Sequence, residues 1–207
     1  MKKGLLAVLL AVAMVAPAFA AKGDMSINAK LGLGVSNSAK MSDVEEMPSD
    51  LSMGIKVKTP FSLGAEFFYG MSDVLSVGFG ANYIFDTEKD VNVGGPEMKF
   101  KTGTTNIYVA VKPEAKIDSS IFSSIYLIGQ IGLAMPRLDI DGMPVDVSVD
   151  SGLYLGAGFG TTIKDAFFVE LIFSSSNGSF SIGGIGSGSG DVQYTATTIN
   201  IGYKFAL

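Results

Sequence analysis

The chain has 207 residues, enough for one domain and too few for a sizeable second one. Its 20 acidic and 15 basic residues give a formal charge of −5, which offers no footprint for nucleic acid. There is no His and no Cys, which removes Ser-His triads, His-based acid–base catalysis, thiol nucleophiles, Cys/His zinc sites and disulfides. An enzyme is therefore not expected, and no cofactor or metal is.

The first residues read as an export signal. Lys2 and Lys3 precede an apolar stretch from Gly4 to Val15, and Ala18-Phe19-Ala20 is an A-x-A cleavage site. Residues 1–20 are expected to be cleaved, leaving a domain over 21–207 with a formal charge of −7, since Lys2 and Lys3 depart with the signal. Beyond it no run of 18 apolar residues occurs, although 47% of the chain is hydrophobic. The apolar residues are instead dispersed at a period of two, which places successive side chains on opposite faces of a strand.

Eight strands follow in chain order. The first spans about 25–35, with Ile27, Ala29, Leu31, Leu33 and Val35 in phase, and a loop follows to about Asp50. The second spans about 61–69, with Phe61, Leu63, Ala65, Phe67 and Tyr69 in phase; Met53, Ile55 and Val57 keep that phase upstream of Pro60. The third spans about 74–85 and the fourth about 103–112, separated by a polar loop containing Gly94-Gly95-Pro96. The fifth, about 121–133, is apolar on both faces from Ile125 to Ile128, but Gln130 and Gly132 assign its even side inward. The sixth spans about 152–163, the seventh 167–174 after a tight turn at Lys164-Asp165-Ala166, and the eighth runs from about Tyr194 to the end.

Connections alternate long and short, as in outer-membrane barrels with short periplasmic turns and long outer loops. The acids gather in the long ones: Asp43, Glu45, Glu46 and Asp50; Asp86, Glu88, Asp90 and Glu97; Asp139, Asp141, Asp146 and Asp150. Lipid-facing positions carry almost none, as a bilayer demands. A soluble barrel or sandwich would also alternate, but its polar face would be charged. Here that face is largely Gly, Ser and Thr, which suits a small lumen. Tyr69, Phe167, Tyr203 and Phe205 fall near one set of strand ends, and Phe61, Tyr83, Phe85 and Phe173 near the other, as two aromatic girdles require. The fold class is all-β: an eight-stranded antiparallel up-and-down transmembrane β-barrel.

The signal peptide, the eight alternating strands and the terminal Ile199-x-Ile201-x-Tyr203-x-Phe205 resemble the small outer-membrane barrel family of OmpA-like, OmpX-like and opacity-type proteins, a porin-like family. The resemblance covers essentially the whole mature chain and implies a bacterial outer-membrane location, with lipid and lipopolysaccharide as surroundings. It also implies that Ile199, Ile201, Tyr203 and Phe205 form the C-terminal signal read by the barrel-assembly machinery. The chain departs from that pattern by ending at Leu207. A monomer is expected, and any extracellular ligand is unknown.

Even-numbered polar residues point into the lumen: Lys30, Glu66, Asn82, Asn106, Lys112, Gln130, Glu170, Asn200 and Lys204. Three cations and two anions in so narrow a space should pair, since an unpaired buried charge is expensive. The functional reading is an ion pathway or gate. The favoured reading is a polar plug, because eight strands enclose only enough room for side chains. Phe68, Tyr108, Tyr126, Tyr154 and Phe168 would fill the space left by inward glycines. Asp139-x-Asp141-Gly142 lacks the later carboxylates of a calcium loop and reads as a solvated turn. The tract from Gly183 to Gly190 lacks the Lys-Ser/Thr ending of a phosphate cradle and reads as a flexible loop. Two functions stand: a structural or surface-interaction protein with acidic outer loops, or a narrow pore or small-molecule transport barrel.

Overall fold

The computed structural model describes residues 23–42, 53–56, 60–91, 98–141, 146–183 and 188–207. The expected signal peptide, the acids from Asp43 to Asp50, and Glu97 lie outside them. The strands are β1 (Met25–Ser42), β2 (Met53–Lys56), β3 (Phe61–Ser72), β4 (Leu75–Val91), β5 (Met98–Lys116), β6 (Phe122–Asp141), β7 (Asp146–Val149), β8 (Gly152–Ile163), β9 (Phe167–Gly183) and β10 (Gly188–Ala206). Eight of them close a ring in the order β1-β3-β4-β5-β6-β8-β9-β10, with every neighbour antiparallel and β10 returning to β1 from Ser26↔Ala206 to Ser42↔Asp191. β2 continues the β3 side of β1, and β7 continues the β8 side of β9. The fold is thus an eight-stranded antiparallel up-and-down β-barrel.

The alternation decides which way the wall faces. Leu31, Phe61, Leu63, Leu127, Ile201 and Phe159 stand more than half exposed on the outside, while Phe68, Tyr108, Tyr154 and Phe168 are buried inside. An apolar belt around a whole domain is stable only against lipid. The soluble alternative would place these residues inside and is rejected on that ground. Ile125 and Leu127 face out while Tyr126 and Ile128 face in, so even the doubly apolar stretch keeps its phase.

Inward glycines make room for the large side chains. A Cβ on Gly80 would lie 2.7 Å from Glu66 Cγ and 2.9 Å from a Tyr108 ring carbon, and one on Gly160 would lie 2.6 Å from Tyr126 Cζ.

The strands run further than the period-two signal. β1 reaches Ser42, β4 Val91, β6 Asp141 and β9 Gly183, so stretches expected as loops continue as ladder. Beyond the lipid nothing demands an apolar outer face, and the alternation disappears while backbone pairing persists. The acidic clusters are corrected accordingly: Asp86, Glu88 and Asp90 lie in β4, Asp139 and Asp141 in β6, and Asp146 in β7. Register sets Lys101 opposite both Glu88 and Asp139, and Lys99 opposite both Asp90 and Asp141.

A bulge between Gly34 and Ser36 re-phases β1 against β10. Even residues face inward below it, and Asn37 is buried above it, because one extra residue flips the face. Pro60, which has no N–H to give, instead accepts from Gly34 N at 2.9 Å just before β3 begins.

At the end that holds the termini, the turn between β8 and β9 closes with Ala166 N donating to Ile163 O. Lys164 and Asp165 both take positive φ, 49° and 61°, as a type I′ turn requires and as Lys does reluctantly. Replacing the pair by Asn-Gly should raise stability by up to about 1 kcal/mol. Urea titration followed by gel mobility checks this; an unchanged midpoint would show that the strain is relieved elsewhere.

Candidate functional site in the lumen

Lys30, on β1, is the hub. Its Nζ donates to Glu66 Oε1 on β3 at 2.7 Å and to Glu170 Oε1 on β9 at 2.8 Å. These three side chains are 3%, 1% and 2% exposed, so water screens none of them. Glu66 Oε1 also accepts from Tyr108 OH (2.8 Å) and Gln130 Nε2 (3.0 Å). Glu170 accepts from Asn200 Nδ2 at Oε1 (3.1 Å) and from Tyr126 OH at Oε2 (3.3 Å). Tyr154 OH completes the web by donating to Gln130 Oε1 at 2.8 Å. Seven of the eight ring strands contribute a side chain; β4 contributes the space at Gly80.

Lys112 does not join this hub. Its Nζ lies 3.3 Å from Glu114 Oε2, and 5.0 Å and 4.8 Å from the ring centres of Phe68 and Tyr126. Ser124 Oγ donates to the other Glu114 oxygen. Tyr126 therefore links the two groups, with its hydroxyl on Glu170 and its face against Lys112. Glu114 was missed because its segment reads as a short connection after Pro113, whereas β5 continues to Lys116. Its even number was the available signal. With Glu114 included, the inward set of Lys30, Lys112, Lys204, Glu66, Glu114 and Glu170 carries three formal charges of each sign.

The amides divide. Gln130 and Asn200 belong to the hub. Asn106 sits in a separate upper cluster, accepting from Thr104 and Ser176 hydroxyls at 3.2 and 3.3 Å. Asn82 Oδ1 makes no hydrogen bond to another described residue. Above this level Ile84, Phe180, Val192, Tyr194 and Ala196 are buried, and Tyr194 OH donates to the buried Asn37 Oδ1 at 3.4 Å.

A second polar constellation lies outside the lumen. Arg137 of β6 reaches across β5 to β4, donating to Thr105 Oγ1 (2.8 Å), Ile84 O (3.1 Å) and Asp86 Oδ1 (3.1 Å) while covering the Tyr83 ring at 4.4 Å. It passes over Gly103, where a Cβ would lie 2.8 Å from Arg137 Nη2. Ile84 O is available because the β4 ladder is bulged between Ile84 and Thr87.

At the C-terminus, Tyr203 stacks against Phe167 and Phe205 at 5.1 and 4.7 Å on the outer wall, and Leu207 N donates to Met25 O at 2.9 Å. Among the described residues no group of His, Cys, Asp and Glu could hold a metal ion.

The family model described as "Outer membrane protein beta-barrel domain" matches residues 5–205. Among solved structures, the chain is similar to the outer membrane protein OprG from Pseudomonas aeruginosa, at 17% identity and a TM-score of 0.54, covering 88% of this chain and 96% of that one. It is similar to the outer membrane protein AlkL at 9% identity and a TM-score of 0.51, covering 90% and 92%. Ail, the attachment invasion locus protein of Yersinia pestis, aligns at 14% identity and a TM-score of 0.47, covering 89% and 99%. No curated protein matches the chain in sequence.

Proposed function

Since the chain belongs to the outer membrane protein β-barrel domain family, we propose that it is a closed, non-enzymatic barrel with a structural and surface-interaction role, exported by a cleaved signal over residues 1–20. The observation that carries this reading is the balanced lumen. Five charges paired with one another, three tyrosines and two amides occupy the interior, and the side chains of the hub are almost wholly buried. A conducting pore needs charges that bind an ion and release it, whereas Lys30, Glu66, Glu170, Lys112 and Glu114 are committed to one another. With a closed lumen, function falls to the outer ends of the strands, where acids and lysines alternate across β4, β5 and β6. The terminal Ile199, Ile201, Tyr203 and Phe205 are proposed as the signal for the assembly machinery, and the barrel as a monomer in lipid and lipopolysaccharide.

The test is single-channel conductance of the refolded mature protein in planar bilayers. Silence is expected. Stable unitary steps that change on Glu66→Gln or Lys204→Met would overturn the closed reading in favour of a pore.

One observation favours the second reading, a small-molecule transport barrel. Among the described residues no ladder joins β2 to β4 or β6 to β7, so above the lipid the hydrogen-bonded ring is interrupted on two sides. Uptake of a small apolar solute into vesicles, without conductance, would support it.

A further inference from the structure

A groove of about 220 Å³ lies on the outer wall where β9, β10 and β1 run side by side, lined by Ser36, Phe173, Ser174, Thr195, Ala196 and Thr197. The β1 bulge helps form it: Ser36 stands opposite Thr197 and Gly34 opposite Thr198, with Val35 as the extra residue. Thr197 also faces Phe173 across the other ladder. The groove sits where the wall changes character. Along the outward face of β10, Tyr203, Ile201 and Ile199 are lipid-facing, and Thr197 and Thr195 follow. Leu33 and Val35 end the apolar run on β1. At that depth the wall meets the headgroups of the outer leaflet.

The lining chemistry narrows the occupant. No lining residue is charged, so nothing there answers a phosphate, which calls for Arg or Lys. Thr195 shares its hydroxyl with Ser38 at 2.7 Å, while those of Ser36 and Thr197 make no hydrogen bond to another described residue. Such hydroxyls are poor company for an acyl chain. Phe173 offers a half-exposed ring beside them. A flat apolar surface edged by free hydroxyls suits a sugar ring, whose C–H face can lie on the aromatic while its hydroxyls pair at the rim. The volume is below the roughly 300–1,000 Å³ of sites that enclose a whole small molecule, so the groove takes one ring of something anchored elsewhere.

We propose that this groove seats one uncharged sugar ring of the outer-leaflet glycolipid, lying on Phe173 and hydrogen-bonded by Ser36 and Thr197. The inference rests on the outer-membrane placement and not on whether the lumen conducts, so silent and conducting barrels test it equally.

The experiment places the mature protein in phosphatidylcholine nanodiscs with and without bacterial lipopolysaccharide, and follows the NMR signals of Ser36, Phe173, Thr195 and Thr197. Shifts confined to these residues are expected, persisting with dephosphorylated lipopolysaccharide. They should be lost in Phe173→Leu and Thr197→Val proteins that keep heat-modifiable migration. Shifts that require the phosphates, that appear equally with an anionic phospholipid, or that survive in both variants would overturn the proposal. So would their absence in the unaltered protein, which needs no variant to fold.

Discussion

Replacing Lys30 by Met is expected to lower the unfolding free energy by about 3–5 kcal/mol, because it leaves two buried carboxylates without their shared cation. Lys30 Nζ is 2.7 Å from Glu66 and 2.8 Å from Glu170, and no other described cation reaches either. Met keeps most of the length and apolar volume of the Lys stem, so the loss is electrostatic and not a cavity. The triple variant Lys30→Met, Glu66→Gln, Glu170→Gln distinguishes the two. Neutral amides retain an oxygen for Tyr108, Tyr126 and Asn200, and removing all the charges together is far cheaper than removing one. More than half of the lost stability should return. Urea titration in lipid vesicles, read by far-UV circular dichroism since the chain has no Trp, measures both. A triple variant as weak as the single one would assign the loss to packing around Lys30.

Gly132→Ala should cost about 1–3 kcal/mol, toward the upper end, whereas Gly129→Ala three residues earlier should be neutral or stabilising by up to about 1 kcal/mol. At Gly132 an added Cβ would lie 2.0 Å from Ile107 O and 2.5 Å from Tyr108 Cα. Both atoms are backbone of β5, so relief requires moving a strand at the Tyr108↔Gly132 pair. That shift also disturbs the tyrosine whose hydroxyl holds Glu66. At Gly129 the nearest atom to a Cβ is Val111 Cγ1 at 3.4 Å, an ordinary contact, and a strand gains from losing a glycine. Equal losses at the two sites would mean that general strand propensity, and not close approach, sets the cost.

The lumen shows how far pattern alone carries. Parity assigned Lys30, Glu66, Lys112, Gln130, Glu170 and Asn200 to the inside, and all six are buried there. Parity says nothing about height or partner. Lys30 and Glu170 are 140 residues apart and meet only because β10 lies between β1 and β9 in the closed ring. Lys112 turned to Glu114, a neighbour on its own strand, and Asn106 fell into a separate cluster. Tyr108, Tyr126 and Tyr154 were legible as bulk filling the lumen but not as hydrogen-bond donors, since donation depends on which carboxylate stands at the tip of each ring.

The strand ends were legible only inside the bilayer. Lipid outside and a small lumen inside impose opposite demands on successive residues, and period two is the record of that conflict. Past the headgroups both faces can be polar, and Ser175 to Gly183 reads as loop while its backbone pairs with β10. The bulge at Gly34–Ser36 left no mark that composition could show, because its cause is a ladder mismatch between two strands. The sequence by itself determined the eight strands of the ring, the face most residues present within the bilayer and the absence of His- or Cys-based chemistry, since these follow from local alternation and residue identity. The tertiary structure decided which charges neutralise one another, how far the wall rises beyond the lipid and where a groove opens in it. Those depend on the register at which eight strands close, and register is a property of the ring.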